Sequence, residues 1–229
     1  MRKIWIGAAM LGALAGVAHA EPGGTSNVSG PSITQGETEL EWRSATYRGG
    51  ALDESWAHRA QVSHGVTDWW RPALILRGSQ PADDSTELDS VAIENLFDIT
   101  PTRDWPVHFG VQLQYEFGMH GRDDEAEIKL LAEHKIGALT TRFNAAAERA
   151  IDGASDEWEH SYAARTMWGA NDALSLGVEA FAEPEADAYY VGPRAGWSFG
   201  DVTLSAAYLA GFDDAQADAQ FRLALEFTP

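Results

Sequence analysis

Glu, Arg, Lys and Gln recur at every second residue over long stretches of this 229-residue chain. Glu39, Glu41 and Arg43 begin the series. Gln112, Gln114 and Glu116 form another run, and Lys129 and Glu133 a third. Arg59, Arg142, Glu148, Arg165, Glu179, Arg194, Arg222 and Glu226 share the same kind of position. Both signs of charge on one face could do two things. They could line a wet path and sort solutes by charge, or neutralise one another in a network of ion pairs.

The parts needed for catalysis are not assembled in the sequence. Ser63-His64 and His160-Ser161 are adjacent pairs, and neighbours on a strand face opposite ways. There is no Gly-x-Ser-x-Gly motif. His58, His64, His108, His120, His134 and His160 show no close metal-binding spacing, and Met119-His120 is a lone soft pair. No cysteine is present, so thiol chemistry and disulfides are excluded. No catalytic residue, resident metal or cofactor is assigned. A lipid-modifying enzyme is the least supported of the functions considered.

The charged series needs an element that keeps alternate residues on one side, and a β-strand does this. Val107, Phe109, Val111, Leu113, Tyr115 and Phe117 alternate with His108, Gly110, Gln112, Gln114 and Glu116. The C-terminal stretch sets Phe221, Leu223, Leu225 and Phe227 against Gln220, Arg222, Ala224 and Glu226. The same reading along the chain gives about twelve segments. They fall near 37–48, 55–66, 69–79, 87–99, 106–118, 125–136, 139–150, 157–169, 174–183, 188–199, 202–212 and 217–228. Pro72 and Asn95 interrupt two of them, which points to a local bulge.

The connections alternate in character. One set is mostly short: Thr67-Asp68, 100–104, Gly137-Ala138, 170–173 and Gly200-Asp201. The other set, near 49–54, 80–87, 119–125, 151–157, 183–188 and 213–218, holds nearly half of the 35 acidic residues. Aromatic residues mark both strand ends. Tyr47, Trp56, Phe117, Trp158, Tyr189 and Phe212 fall near the acidic end. Trp69, Trp70, Trp105, Trp168, Trp197, Phe199 and Phe227 fall near the other.

These features predict an all-β fold: an antiparallel transmembrane β-barrel of about 12 strands over 37–229, with aromatic girdles, short periplasmic turns and acidic extracellular loops. The rival is a soluble β-sandwich or lipocalin-like barrel, in which the apolar face would point inward.

The first residues read as an export signal. Arg2 and Lys3 precede the apolar run Ile4–Val17, and Ala18-His19-Ala20 has the form of a cleavage site. Residues 1–20 are expected to be removed near Ala20, which places the protein in the bacterial cell outer membrane. Residues 21–36, rich in Gly, Ser and Pro, read as a flexible lead. The formal charge of −19 becomes −21 without Arg2 and Lys3, and such acidity argues against nucleic acid as a partner.

Three stretches resemble a known group. His64-Gly65-Val66-Thr67-Asp68-Trp69, Glu94-Asn95-Leu96-Phe97-Asp98-Ile99-Thr100 and Tyr190-Val191-Gly192-Pro193 are similar to proteobacterial outer-membrane proteins of the MetA-pathway phenol-degradation family. The resemblance implies a barrel and a transport role, and brings no catalytic residues. The expected function is a narrow channel for passive transport of small solutes. The alternative is a structural, envelope-stabilising barrel whose acidic rim binds divalent cations. The expected partners are outer-membrane lipids and lipopolysaccharide, a small-molecule solute, and weakly held divalent cations. Twelve strands lie between a filled eight-strand barrel and an open porin, so a narrow passage and a closed, hydrated interior are both expected.

Overall fold

The computed structural model describes residues 24–100, 104–151 and 157–229. The export-signal residues 1–20 lie outside the described ones. Twelve strands follow one another: β1 (Thr38–Arg48), β2 (Trp56–His64), β3 (Trp70–Gln80), β4 (Glu87–Asp98), β5 (Val107–Gly118), β6 (Glu125–Ile136), β7 (Leu139–Ala150), β8 (Glu159–Gly169), β9 (Leu174–Glu183), β10 (Ala188–Phe199), β11 (Val202–Asp213) and β12 (Ala219–Phe227). Each pairs antiparallel with its neighbours in the chain, and β1 pairs with β12 from Leu40↔Phe227 to Arg48↔Ala219. The sheet therefore closes on itself and leaves no strand edge to be satisfied. Strand ends fall within two residues of those read from the alternation.

The faces decide between the membrane barrel and its soluble rival. Leu74, Ile93, Leu130 and Val178 point outward and are about half exposed, at 47, 48, 56 and 54%. Glu179, Glu133, Asn144 and Arg222 point inward, at 1, 2, 2 and 5%. A water-soluble protein has the opposite arrangement, because burying charge is costly and exposing a continuous aliphatic band is costly too. Lipid is the solvent that suits this outer face.

Trp56, Phe117, Trp158 and Phe212 ring the acidic end, and Trp69, Trp105, Trp168, Trp197 and Phe199 ring the other. Tyr47 is a correction to the expected girdle. It is 4% exposed and packs inside with Ala45 and Ala217. Its odd number shares the inward parity of Arg43 and Ala45, which overrides its position near a strand end.

The bulge expected at Pro72 and Asn95 is not there: the two residues pair with each other in unbroken register, and the β3–β4 ladder shifts instead between Arg77 and Gly78. Asn95 remains on the outward face, where its Oδ1 accepts a bond from Trp70 Nε1 at 3.0 Å. Tight reversals at the short-turn end need left-handed backbone. Gly137 (φ 57°) and Gly200 (φ 60°) supply it without a Cβ clash.

Residues 24–36 depart from the flexible lead expected of their composition. Residues 24–33 run inside the barrel, and 34–36 lie exposed at its rim. Val28 is fully buried, and Ile33 is 5% exposed. The segment meets the wall at the short-turn end, where Gly36 N donates to Gly65 O (2.7 Å) and Gly65 N donates to Glu37 O (2.9 Å). Gly, Ser and Pro prevent a regular element, but they do not prevent burial when side chains on the wall satisfy the backbone.

Candidate functional site: the lumen and the segment within it

Inward parity places charged side chains from eleven strands in one enclosed space, where each needs a partner. On β9, β10 and β12 the centre is Glu179. It accepts from Arg222 Nη1 at 2.7 Å and from Arg194 Nη1 at 3.3 Å. Arg194 also donates to Ser205 Oγ at 2.5 Å. On β1, β2, β4 and β5, Arg43 pairs with Glu41, while Arg59 reaches Gln61 Oε1 at 2.7 Å and Glu94 Oε2 at 3.4 Å. Gln112 Nε2 donates to the same Glu94 oxygen at 2.9 Å.

The opposite wall repeats the scheme. Arg77 pairs with Glu116 and donates to Gln114 Oε1 at 3.2 Å. Glu133 takes Arg142 at 2.6 Å and Lys135 at 2.9 Å, and Lys129 meets Glu127 at 3.0 Å. Arg71 lies 3.7 Å from Glu39. Glu226 sits opposite Glu41 in the register, and Glu148 opposite Glu127 and Glu159. Arg165 lies across from Arg142 and faces the inner segment. The sixteen residues singled out from the sequence thus share the inward face; Glu41 with Arg43, Glu133 with Arg142, and Glu179 with Arg194 and Arg222 pair among themselves, while Glu39, Arg59, Gln112 and Lys129 meet wall residues outside that set.

The inner segment is held by its main chain. Arg222 Nε donates to Gly24 O at 2.7 Å, and its Nη2 donates to Ser26 O. Arg43 Nη1 donates to Thr25 O at 3.1 Å, and Arg165 Nη2 to Val28 O at 2.8 Å. Asn144 reads one residue twice: its Oδ1 accepts from Ser29 N (2.8 Å) and its Nδ2 donates to Ser29 O (3.0 Å). Two apolar seats add to this. Val28 packs with Phe181, Tyr190, Ala207 and Leu209, and Ile33 with Leu96 and Leu131. Above Val28 the 214–218 loop folds inward, and Tyr190 Oη both donates to Ala217 O and accepts from Ala217 N, at 3.1 Å. Small voids lie beside the segment, one lined by residues that include Asn27, Ser29, Glu41, Arg59 and Lys129 and another by residues that include Gly24, Asn27, Arg43 and Arg194.

Arg71, Arg77 and Glu94 belong to this wall but do not stand out in the sequence. Ala73 and Ile75 point inward beside them while Leu74 and Leu76 point outward, so β3 is apolar on both faces. Leu96 has the same effect in β4. The parity signal would have been recovered by carrying the register across from β2, where Arg59 pairs with Arg77.

Other chemistry finds little support. Ser44 Oγ lies 3.0 Å from His58 Nδ1 on the outward face, but Ser44 is 3% exposed and His58 is stacked between Trp42 and Trp56. This contact packs the surface and does not present a nucleophile. Among the described residues, no group of three or more His, Asp or Glu converges to hold a metal.

No family model matches the sequence, and no curated protein matches it. Solved structures do match its fold. The COG4313 outer membrane channel from Pseudomonas putida F1 superposes with a TM-score of 0.67 at 11% identity, over 89% of this chain and 99% of that one. The KdgM porin in complex with disordered oligogalacturonate gives 0.63 at 8%, over 82% and 98%. The NanC porin gives 0.59 at 13%, over 82% and 98%. At such identities the likeness establishes the fold.

Proposed function

We propose that the chain is a narrow outer-membrane channel for passive transport of small polar solutes, reached after removal of an export signal near Ala20. One observation carries this reading. A closed twelve-strand wall sets an apolar band toward lipid and a charge-paired face around a common lumen. A barrel with no path to offer could fill its interior with aliphatic side chains at lower cost. Between its apolar seats this wall is wettable, and an ionic face of mixed sign passes polar solutes while lowering the barrier to neither charge alone. The channel folds of similar shape support the same reading.

In this reading residues 24–33 occupy the path, and their withdrawal widens it. The proposed kinship with the MetA-pathway group rests on the three motifs, which map to the β2–β3 turn, the end of β4 and the middle of β10. The motifs carry no substrate. The acidic loops are the extracellular end in this orientation, since short turns lie toward the periplasm.

Planar-bilayer recording tests the proposal. The full mature chain is expected to give small currents. Val28→Asp, which places a carboxylate in the seat formed by Phe181, Tyr190 and Leu209, is expected to give larger ones. A folded preparation of both that carries no current and admits no solute into liposomes would refute the channel.

A further inference from the structure

The segment within the lumen is recognised in an unusual way for a plug. Five of its carbonyls, those of Gly24, Thr25, Ser26, Val28 and Ser29, accept bonds from wall side chains, and the Ser29 N–H donates to one. The donors are Arg43, Asn144, Arg165 and Arg222, from four strands. These atoms are common to every peptide. Selection by side chain is confined to a few places. Val28 fills an apolar seat. Gly30 passes so close to the wall that a Cβ there would lie 2.7 Å from Glu133 Oε2 and 2.8 Å from Arg142. Pro31 lies against Gly110, whose own Cβ would come within 2.8 Å of it.

We infer that this wall is a binding site for short, extended peptides with a small aliphatic residue followed by small residues, and that residues 24–33 are its resident ligand in cis. The inference rests on the channel reading and names its solute class. Three physical points support it. A bidentate Asn and three guanidinium groups aimed at carbonyls make a main-chain reader, in the manner of other extended-peptide sites. The side-chain seats are two small apolar pockets, at Val28 and at Ile33, so the match is to chemistry and not to one sequence. With the export signal removed, the segment is joined to the wall at Gly36–Glu37, beside Gly65, and can leave as a unit through the short-turn end. A tethered ligand acts at an effective concentration of about millimolar. A free peptide therefore competes poorly until the tethered segment is weakened.

The test uses the full mature chain in detergent and a fluorescent peptide, GTSNVSGPSI, which copies residues 24–33. A scrambled peptide of the same composition is the control. Two variants weaken the resident segment: Val28→Asp, and Gly30→Val should the first not fold. A Ser29→Cys thiol, unique in a chain without cysteine, reports whether the segment has left. The expected result is saturable binding by the released variant, at least about tenfold tighter than by the parent, with the scrambled peptide weaker. Adding Asn144→Ala should lower the affinity about tenfold through the two lost hydrogen bonds.

Equal binding of the scrambled peptide, or none by a variant whose thiol reacts, would overturn the inference. So would a thiol that stays protected in both variants, since the segment would then be a permanent part of the wall. Peptide binding without any current would refute transport and leave the site standing. Current without peptide binding would do the reverse.

Discussion

Replacing Glu179 with Gln should be among the most destabilising single changes in the barrel wall. Glu179 is 1% exposed and is the shared partner of Arg222 at 2.7 Å and Arg194 at 3.3 Å. The side chains of those two arginines are 6 and 14% exposed, so little water can replace the lost carboxylate. Breaking a buried pair by removing one partner costs about 3–5 kcal/mol. Some of that is recovered here. The amide oxygen still accepts one bond, Arg222 keeps the carbonyls of Gly24 and Ser26, and Arg194 keeps Ser205. The bonds to Gly24, Ser26 and Ser205 are the same before and after, so only the amide's bond, worth about 1 kcal/mol, offsets a mid-range cost of about 4, and the expected loss is about 3 kcal/mol. That is a change of about 150-fold in the ratio of folded to unfolded barrel. Urea titration of the protein in lipid vesicles, followed by tryptophan fluorescence and by the heat-dependent gel shift of folded barrels, measures it. A loss below about 1 kcal/mol would refute the reasoning, because it would mean that water already screens these charges. The double change Glu179→Gln with Arg194→Met, which removes the excess cation, should recover part of the loss.

Other outcomes follow from the same geometry. Leu130→Arg, on the outward face in the middle of β6, should cost about 2–4 kcal/mol in vesicles, whereas its inward neighbour Lys129 already carries charge in the fold. The thiol of Ser29→Cys should react with a water-soluble maleimide at least about tenfold more slowly than one placed at Asp84 in an outer loop, because Ser29 lies inside the lumen. Gly110→Val should crowd Pro31, free that thiol and raise bilayer conductance together; a rise in one without the other would separate the segment from the path.

The legible part of the fold was the part written at short range. Val107–Phe117 shows its two faces to any reader who counts by two, and β6, β7, β9 and β10 begin and end at the residues the alternation gives. The inward residues of those strands were legible for the same reason. β3 and β4 were harder, because Ala73, Ile75 and Leu96 put apolar residues on the inner face as well and hid Arg71, Arg77 and Glu94. Tyr47 was misplaced by its position near a strand end, although its parity already assigned it to the interior.

Residues 24–36 mark the boundary of what sequence can determine. Alone, the sequence determined that a two-residue period runs through twelve segments and that its charged phase is shared by most of them, because a strand displays its own pattern with no help from the rest of the chain. Which wall residues would pair, and whether the space they enclose would stand empty, was decided only when the strands closed. The segment in the lumen has no period of its own. Its order comes from Arg43, Asn144, Arg165 and Arg222, which lie up to 198 residues away along the chain and meet it only inside the finished barrel.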